Sequence, residues 1–359
     1  MVIINKPSAI ESVKKNNIKR LINGLLSGLS ERQREVIINR FGLEDGERKT
    51  LEEIGKGYRI TRERVRQIEN DAKAAILKSR YMAELDPFFQ SLAAHLRKFG
   101  GFRAEYKLFS EDIKDLMPSG WNTKVAATNL HFLLSISDLF VKHPETDKLH
   151  SVWLLRGADI ESAHEALEKL VNKLEKSLQP TKKENILEWL KESLVGIENH
   201  ALESVLHLSK IINTNVYGEY GLKYWPEINV RGVRDKAFLI LKKHAQPMHF
   251  KEIVSKINET FKGNRRAHPQ TVHNELIKNN QFVLVGRGTY ALADWGYKPG
   301  TVSDVLARII KDADRPLSRE EIMEAVLKER AVKQNTVMLN LQNKNYFQKT
   351  EEGKYIYKS

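Results

Sequence analysis

The chain has 359 residues, 41% hydrophobic and 29% charged, which is long enough for two to four domains that each bury a core. It contains no cysteine, which excludes disulfides, cysteine-ligated zinc and a catalytic thiol and is typical of an intracellular protein. We find neither an apolar run of 18 residues nor a basic-then-apolar leader, so we expect no transmembrane helix and no secretory signal.

The net charge of +13 is unevenly distributed along the chain. Lys and Arg minus Asp and Glu give +7 for residues 1–80 and +8 for residues 231–299, but −4 for residues 81–230 and +2 for residues 300–359. Clustered positive charge is typical of surfaces that bind polyanions. The distribution therefore predicts two polyanion-binding modules separated by an acidic segment.

The first part of the chain reads as a series of helices. Residues 18–29 have helical periodicity. Ser30 and Gln33 have the spacing of a capping box, in which each residue satisfies a backbone N–H near the other, and Gly42 is a typical residue to end the helix that follows.

The next two helices predict a helix-turn-helix. Thr50 and Glu53 repeat the capping-box spacing at a short helix over 51–56, which Gly57 is expected to interrupt. The next helix begins at Thr61 and runs to about residue 79. Two short helices joined by a turn, the second polar at its start, are the pattern of a DNA-binding helix-turn-helix.

From about residue 88 the sequence contains a repeat of roughly 70 residues. Each repeat has an amphipathic helix, a break, two further helices and then a turn flanked by aromatic or β-branched residues, which predicts a hairpin. The breaks contain Gly100-Gly101, Pro180, Pro247 and Pro316. In the first three repeats a Trp lies thirteen residues after the residue that opens the hairpin, and we expect Trp153, Trp225 and Trp295 to be equivalent core anchors.

Three helices followed by a hairpin is the winged-helix plan. The predicted fold is therefore mainly α, with an N-terminal helix-turn-helix bundle followed by about four winged-helix repeats. We place the domains at 1–82, 83–156, 157–229, 230–298 and 299–359.

The helix that begins at Thr61 has an apolar face and a polar face. Helical spacing assigns five residues to the core: Val65, Ile68, Ala72, Ala75 and Ile76. Five others project outward: Arg62, Glu63, Arg66, Gln67 and Asn70. Arginine can pair with guanine, glutamate can accept from cytosine N4 and glutamine can pair with adenine, each for about 1–3 kcal/mol of discrimination. The alternative is that this is only the solvated face of a charged helix.

The motifs "RFGL", "TLEEIG" and "TRERVRQIE" within residues 29–76 favour the first interpretation, because they resemble region four of primary sigma factors of bacterial RNA polymerase. The resemblance implies base contacts by Arg62, Glu63 and Gln67. It implies phosphate contacts by Thr61 and Arg64 and by the start of the preceding helix at Leu51 and Glu52, and we assign Arg66 to phosphate as well.

This sequence departs from the sigma pattern at two positions. Arg59 occupies a turn position that is often Gly or Asp, and Asp71 stands where the family commonly has a basic phosphate contact, which Lys73 could replace. No segment resembles the parts of sigma factors that melt the minus-ten element or bind the polymerase clamp. We therefore expect a protein other than a complete sigma factor.

Residues 231–297 carry a second resemblance, through "HFKEI" and "FVLVGRGTYAL". They resemble the HARE-HTH winged-helix family, which includes the N-terminal domain of the RNA polymerase delta subunit. Candidate DNA contacts here are Arg265, Arg266, His268, Gln270, Thr271 and Asn274, with Arg287 on the wing. The alternative is a solvated face in a fold used for protein contact, and we expect spacing or protein binding for the acidic repeats over 88–229.

The sequence contains no catalytic or metal-binding constellation. The 11 histidines are scattered, and neither Ser-His-Asp nor paired-carboxylate spacing is present, so we expect no enzyme, no cofactor and no metal. The leading hypothesis is a cytoplasmic, nucleoid-associated transcription factor that binds promoter-like double-stranded DNA and RNA polymerase, with no membrane partner. The alternative is a polymerase-associated accessory subunit that acts mainly through protein contacts. The oligomeric state stays open.

Overall fold

The computed structural model describes residues 17–194, 196–262, 266–297, 300–330 and 332–358. The chain forms two compact units: residues up to 213 with 220–223 belong to the first, and residues 214–219 with those from 224 onward belong to the second. The five-domain division is finer than these two units and stays a prediction. Within the described residues, no helix is both long and apolar enough to cross a membrane.

The first unit begins with five helices. They are α1 (Ile18–Ser27), α2 (Glu31–Phe41), α3 (Leu51–Tyr58), α4 (Arg62–Leu77) and α5 (Arg80–Lys98). Both predicted capping boxes are present: the Gln33 N–H donates to Ser30 Oγ at 3.4 Å and the Glu53 N–H to Thr50 Oγ1 at 3.2 Å. The prediction that Gly57 interrupts α3 is wrong, because glycine remains compatible with helical backbone and α3 continues to Tyr58.

The first winged helix uses α5 as its first helix. It continues with β1 (Phe102–Ala104), α6 (Glu105–Lys107), a π-helical turn (Leu108–Asp112), α7 (Ile113–Leu116), α8 (Thr123–Ile136), β2 (Phe140–His143) and β3 (Val152–Leu155). The sheet is antiparallel in the order β1-β3-β2.

The second winged helix follows the same order. Its elements are α9 (Ile160–Ser177), α10 (Lys183–Ser193), α11 (Asn199–Leu206), β4 (Ile212–Thr214) and β5 (Tyr220–Leu222). Thr181 and Tyr220 exchange two backbone hydrogen bonds, of 2.9 and 2.7 Å, and so take the place of the first strand.

The second unit contains two further winged helices. The third repeat consists of α12 (Val233–His244), β6 (Met248–His249), α13 (Phe250–Thr260), α14 (Pro269–Lys278), β7 (Phe282–Gly286) and β8 (Thr289–Leu292). The fourth consists of α15 (Val302–Asp312), α16 (Arg319–Glu329), α17 (Gln334–Leu341), β9 (Phe347–Lys349) and β10 (Tyr355–Tyr357). Their sheets follow the first two, with the order β6-β8-β7 and a Leu317–Tyr355 bridge beside β9 and β10.

The predicted fold class is confirmed: the chain is mainly α, with a helix-turn-helix bundle and four winged-helix repeats. The predicted equivalence of the three tryptophans is wrong. Trp153 lies inside β3 and is buried, whereas Trp225 and Trp295 follow their hairpins and are half-buried. The reason is loop length, because eight residues (144–151) connect the first hairpin and only two (287–288) connect the third.

The helix-turn-helix and the first winged helix share one hydrophobic core. A single cluster of buried residues extends from Ile18 in α1 through Phe41, Ala72 and Ile76 to Trp153 in β3. The helix-turn-helix also has a smaller cluster of its own, formed by Val36, Ile54, Val65 and Ile68. One face of α2 and α4 is therefore completed by residues of the first winged helix.

Candidate nucleic-acid interface

The turn between α3 and α4 depends on close contact at Gly55. The Ile60 N–H donates to the Gly55 carbonyl at 3.0 Å, and a Cβ placed on Gly55 would lie 2.7 Å from the Ile60 carbonyl oxygen. Arg59 ends α3 in the left-handed region, at φ +54°, where residues with a Cβ are strained. Glycine has no Cβ and adopts this conformation without strain, which explains why glycine is often found at this turn position in the sigma pattern.

The buried side of α4 is close to the predicted one but is rotated. Val65, Ile68, Ala72 and Ile76 are buried as expected, but the prediction for Ala75 is wrong, because Ala75 is exposed and Glu69 is buried. Apolar spacing alone could not identify Glu69 as a core residue, because its burial depends on partners from other positions.

Glu69 is held by two cations. Lys73 Nζ lies 2.6 Å from Glu69 Oε1, and Arg40 Nε lies 3.3 Å from Glu69 Oε2. Lys73 also lies over the Phe41 ring, 5.2 Å from its centroid. The residue suggested to replace a phosphate contact at Asp71 is therefore already paired within the protein, while Asp71 itself is exposed.

The opposite side of α4 brings the predicted contact residues together. Arg62, Glu63, Arg64, Arg66 and Gln67 are all exposed on the N-terminal half of the helix. Arg66 binds Glu63 with two hydrogen bonds, of 2.9 Å from Nε and 2.7 Å from Nη2, and Arg64 Nη1 donates to Gln67 Oε1 at 3.0 Å. Sequence reasoning missed both pairs, although the i,i+3 spacing of opposite charges signals the first.

These pairs orient the polar side chains without exhausting them. The hydrogen bond from Arg66 lowers the pKa of Glu63, so the carboxylate stays ionised. An ionised carboxylate has about four lone-pair sites, so Glu63 can accept from a base while it keeps Arg66. The Gln67 amide also bonds the Glu63 carboxylate and so contributes to lowering its pKa, and because an amide has two hydrogens, Gln67 can still donate to a base. One surface of α4 therefore presents a carboxylate oriented by Arg66, an amide oriented by Arg64 and the guanidinium groups of the arginines themselves.

Arg62 is placed against the electrostatic preference of its own helix. It is the first residue of α4, where the positive end of the helix dipole disfavours a cation, and it has no hydrogen bond to any residue that the structure describes. Thr61 caps the helix by accepting from the Arg64 N–H at 3.2 Å. Arg62 interacts electrostatically with the nearby carboxylates of Glu52 and Glu63. An exposed cation beside the free N–H groups of a helix N-terminus is an arrangement that an external anion would stabilise.

The start of α3 lies beside this surface in the chain. Leu51 is half-buried, and Glu52 is exposed and forms an ion pair with Lys56, with 2.9 Å between Nζ and Oε1. Glu53 already satisfies the Thr50 N–H at 2.7 Å. The contribution that Leu51 and Glu52 can make to phosphate binding is therefore their backbone N–H groups at the helix start.

The third helix of the first winged helix is occupied by protein contacts. Most of α8 is buried, Thr128 Oγ1 donates to the Gly42 carbonyl at 2.8 Å, and Asn129 Nδ2 donates to the Leu43 carbonyl at 2.9 Å. In a DNA-binding winged helix this element would be the recognition helix. Here its polar side chains bind the loop that follows α2.

The second winged helix uses its third helix in a similar way. Ser204 of α11 is fully buried and its hydroxyl donates to the carbonyl of Phe102 in β1, at 3.2 Å. Each of the first two repeats therefore packs its third helix on the module that precedes it in the chain, a use that sequence reasoning did not identify.

The third winged helix leaves its third helix exposed. The candidate residues Arg266, His268, Gln270, Thr271 and Asn274 are all exposed, and so is Arg287 at the tip of the β7–β8 hairpin. Arg265 lies outside the described residues. His268 caps α14 by accepting from the Gln270 N–H at 3.3 Å, and Gln270 Nε2 donates to Asn274 Oδ1 at 2.9 Å. Apart from Arg265, the predicted set thus lies on one helix, the segment before it and the adjacent wing.

Within the part of the chain that the structure describes, no group of three or more His, Asp or Glu side chains could hold a metal ion. His249 is used locally, because its Nδ1 accepts from the Lys251 N–H at 3.3 Å.

Two segments match models of known families, and both resemblances inferred from the sequence are confirmed. Residues 25–76 match Sigma-70, region 4. Residues 232–295 match HARE-HTH, the helix-turn-helix domain family named in part for ASXL proteins and restriction endonucleases. Both families are DNA-binding domains and neither is an enzyme family.

Similar proteins are bacterial sigma factors. The chain is 52% identical over 62 residues to RNA polymerase sigma factor SigA1 of Synechococcus elongatus, which is 17% of this chain and 16% of that protein. It is 48% identical over 62 residues to SigA of a Nostoc species, covering 17% and 16% of the two chains. It is 45% identical over 78 residues to RpoD of Helicobacter pylori, covering 21% and 12%. The chain thus spans less than a fifth of the length of these relatives.

Proposed function

We propose that this protein is a sequence-specific DNA-binding transcription factor that acts with bacterial-type RNA polymerase at promoters and is not a complete sigma factor. The observation that carries the proposal is the exposed, pre-oriented polar face of α4 within a segment that matches sigma region 4. In this proposal Arg62, Glu63 and Gln67 read base edges, and the element they read resembles the minus-thirty-five element that sigma region 4 recognises.

Phosphate contacts position the reading helix. The proposed set is Thr61, Arg64, Arg66 and the start of α3 at Leu51 and Glu52, with Arg64 and Arg66 holding Gln67 and Glu63 at the same time. Side chains that bind both a phosphate and a base-reading neighbour couple docking to specificity.

The winged helices divide into two roles in this proposal. The first two support the reading head, by which we mean the helix-turn-helix of α3 and α4, because α8 and α11 are occupied by contacts within the protein. The third binds DNA phosphates through α14 and its wing, where Arg266 and Arg287 are exposed. In this proposal each role belongs to one of the five domains predicted from the sequence. The proposed location is the cytoplasm, on the nucleoid.

A polymerase-associated accessory subunit is the second candidate. It is favoured by one observation: two of the four winged helices have their third helix occupied by contacts within the chain, so these helices are not free to read DNA. In that case the helix-turn-helix would bind a polymerase surface and would not read bases.

The test replaces Arg62, Glu63 and Gln67 together by alanine in the full chain and measures affinity for a sigma-type minus-thirty-five duplex and for a scrambled duplex. Each contact to a base pair contributes about 1–3 kcal/mol of discrimination. Each lost contact should therefore lower the ratio of the affinity for the minus-thirty-five duplex to that for the scrambled duplex by about 5- to 150-fold. A matched control replaces Glu165, Lys169 and Gln179, which carry the same kinds of side chain and are exposed in the acidic region.

Polymerase capture is measured in parallel with the same variants. Lost discrimination with retained polymerase capture supports the transcription factor. Unchanged discrimination, or wild-type protein that binds both duplexes equally, refutes it and leaves the accessory subunit.

A further inference from the structure

The fourth winged helix contains a basic groove that the proposed function does not use. The groove is open, has a volume of about 730 Å3, and lies between the end of α17 and the β9–β10 hairpin. Three lysines from three separate positions converge on it: Lys344 from the loop after α17, Lys349 from the end of β9, and Lys358 from the residue after β10.

The backbone explains this convergence. Lys349 stands opposite Tyr355 in the antiparallel register, and the Lys358 N–H donates to the Tyr346 carbonyl at 2.9 Å, which brings the end of the chain back beside the loop that holds Lys344. The position of the three ammonium groups therefore follows from the hairpin.

The groove lysines have no internal counter-charge among the described residues from 300 to 358, whereas Lys328 pairs with Glu324 at 2.8 Å and Lys354 with Glu352 at 3.4 Å. Lys311 and Lys333 also form no ion pair there, but neither of them lines the groove. Three like charges around one groove repel each other unless a polyanion neutralises them.

The remaining polar lining also consists of hydrogen-bond donors. Gln342 and Gln348 line the groove beside the lysines, and glutamine amides commonly donate to phosphate oxygens. The two carboxylates of the hairpin turn, Glu351 and Glu352, are not among the residues that line it. The chemistry fits a phosphodiester backbone, which presents a regular row of acceptors.

We propose that this groove binds the phosphate backbone of double-stranded DNA without reading its sequence, so that the C-terminal winged helix is an additional non-specific DNA-binding site. The inference rests on the proposed function only in taking DNA as the partner. It does not require that α4 reads bases.

The test measures the salt dependence of binding to a duplex of arbitrary sequence, so that base reading by α4 does not contribute. Each lost phosphate contact lowers the slope of log affinity against log salt by about 0.9, so the full-length variant Lys344→Gln, Lys349→Gln, Lys358→Gln should lose up to about 2.7. The control Lys169→Gln, Lys176→Gln, Lys191→Gln removes the same charge from exposed positions on α9 and α10 and should leave the slope unchanged.

A second variant separates charge from folding. Replacing the three groove lysines by arginine keeps the charge and should keep the slope. The proposal is overturned if the groove and control variants change the slope equally, or if the groove variant loses affinity for single-stranded RNA and keeps its DNA slope. Unchanged base discrimination in the α4 variant, together with an intact groove effect, would refute base reading by α4 and leave the groove proposal standing.

Discussion

The two glycines of α3 allow a sharp test of the helix-turn-helix, because they are two residues apart and face different surroundings. A Cβ on Gly55 would lie 2.7 Å from the Ile60 carbonyl oxygen, a backbone atom that cannot rotate away. A Cβ on Gly57 would meet no atom within 4 Å. The substitutions Gly55→Ala and Gly57→Ala therefore add the same methyl group to the same helix with opposite consequences.

The magnitudes follow from these contacts. Forced overpacking costs about 1–3 kcal/mol, and moving Ile60 also disturbs its N–H bond to Gly55. At Gly57 alanine should stabilise the helix by about 0.5–1 kcal/mol, since glycine loses more backbone freedom on folding. The two variants should thus differ by about 1.5–4 kcal/mol.

Native-state hydrogen exchange is the suitable assay, because a single unfolding curve for a chain with several modules is not a two-state measurement. Exchange at the Ile60 and Val65 amides should accelerate in the Gly55 variant and slow in the Gly57 variant. Affinity for the target duplex should fall only in the Gly55 variant, because α4 is reoriented. If both variants protected these amides equally, the tight turn would not determine the stability of this module.

Three further predictions concern single side chains. Arg59→Gly should stabilise the protein by about 1 kcal/mol in hydrogen exchange at α3, because it removes the left-handed strain at φ +54°; a less stable variant would contradict this. Asn129→Ala should destabilise the first unit by about 1–3 kcal/mol in hydrogen exchange at the amides of α8, since the Leu43 carbonyl loses its buried donor; unchanged exchange would show that this bond is dispensable. Burial and the nearby cations lower the pKa of His131 from 6.5 to about 4, so the unfolded chain binds the additional proton between those values. Relative to a His131→Leu variant, the wild type should therefore lose up to about 3 kcal/mol of protection against hydrogen exchange in the first unit as the pH falls from 6.5 to 4; the same loss of protection in both proteins would refute it.

Local patterns predicted much of this fold. Both capping boxes were visible because they depend on residues three positions apart, as with Ser30 and Gln33. The winged-helix plan was visible because helix breaks and hairpin turns recur at a fixed period. The end of α3 could not be predicted from the sequence, because a glycine such as Gly57 is compatible with both helix and turn.

The surroundings of the candidate site depended on contacts distant in sequence. Glu69 is buried and Ala75, expected in the core, is exposed, because Arg40 from another helix neutralises the Glu69 carboxylate together with Lys73. The burial of α8 depends on Thr128 and Asn129 reaching carbonyls 86 positions earlier in the chain. Periodicity in the sequence cannot predict hydrogen-bond or ion-pair partners that are this distant along the chain.

The core that extends from Ile18 to Trp153 also has a consequence for biosynthesis. A ribosome that has just completed α4 has already made every residue of the proposed reading helix, yet Phe41, Ala72 and Ile76 still lack the part of their core that the first winged helix supplies. About 80 more residues must be added before β3 is complete, which takes roughly 4–16 s at about 5–20 residues per second. During that interval the nascent reading head would have an incomplete apolar face, and its maturation would be timed by translation of the module that follows it.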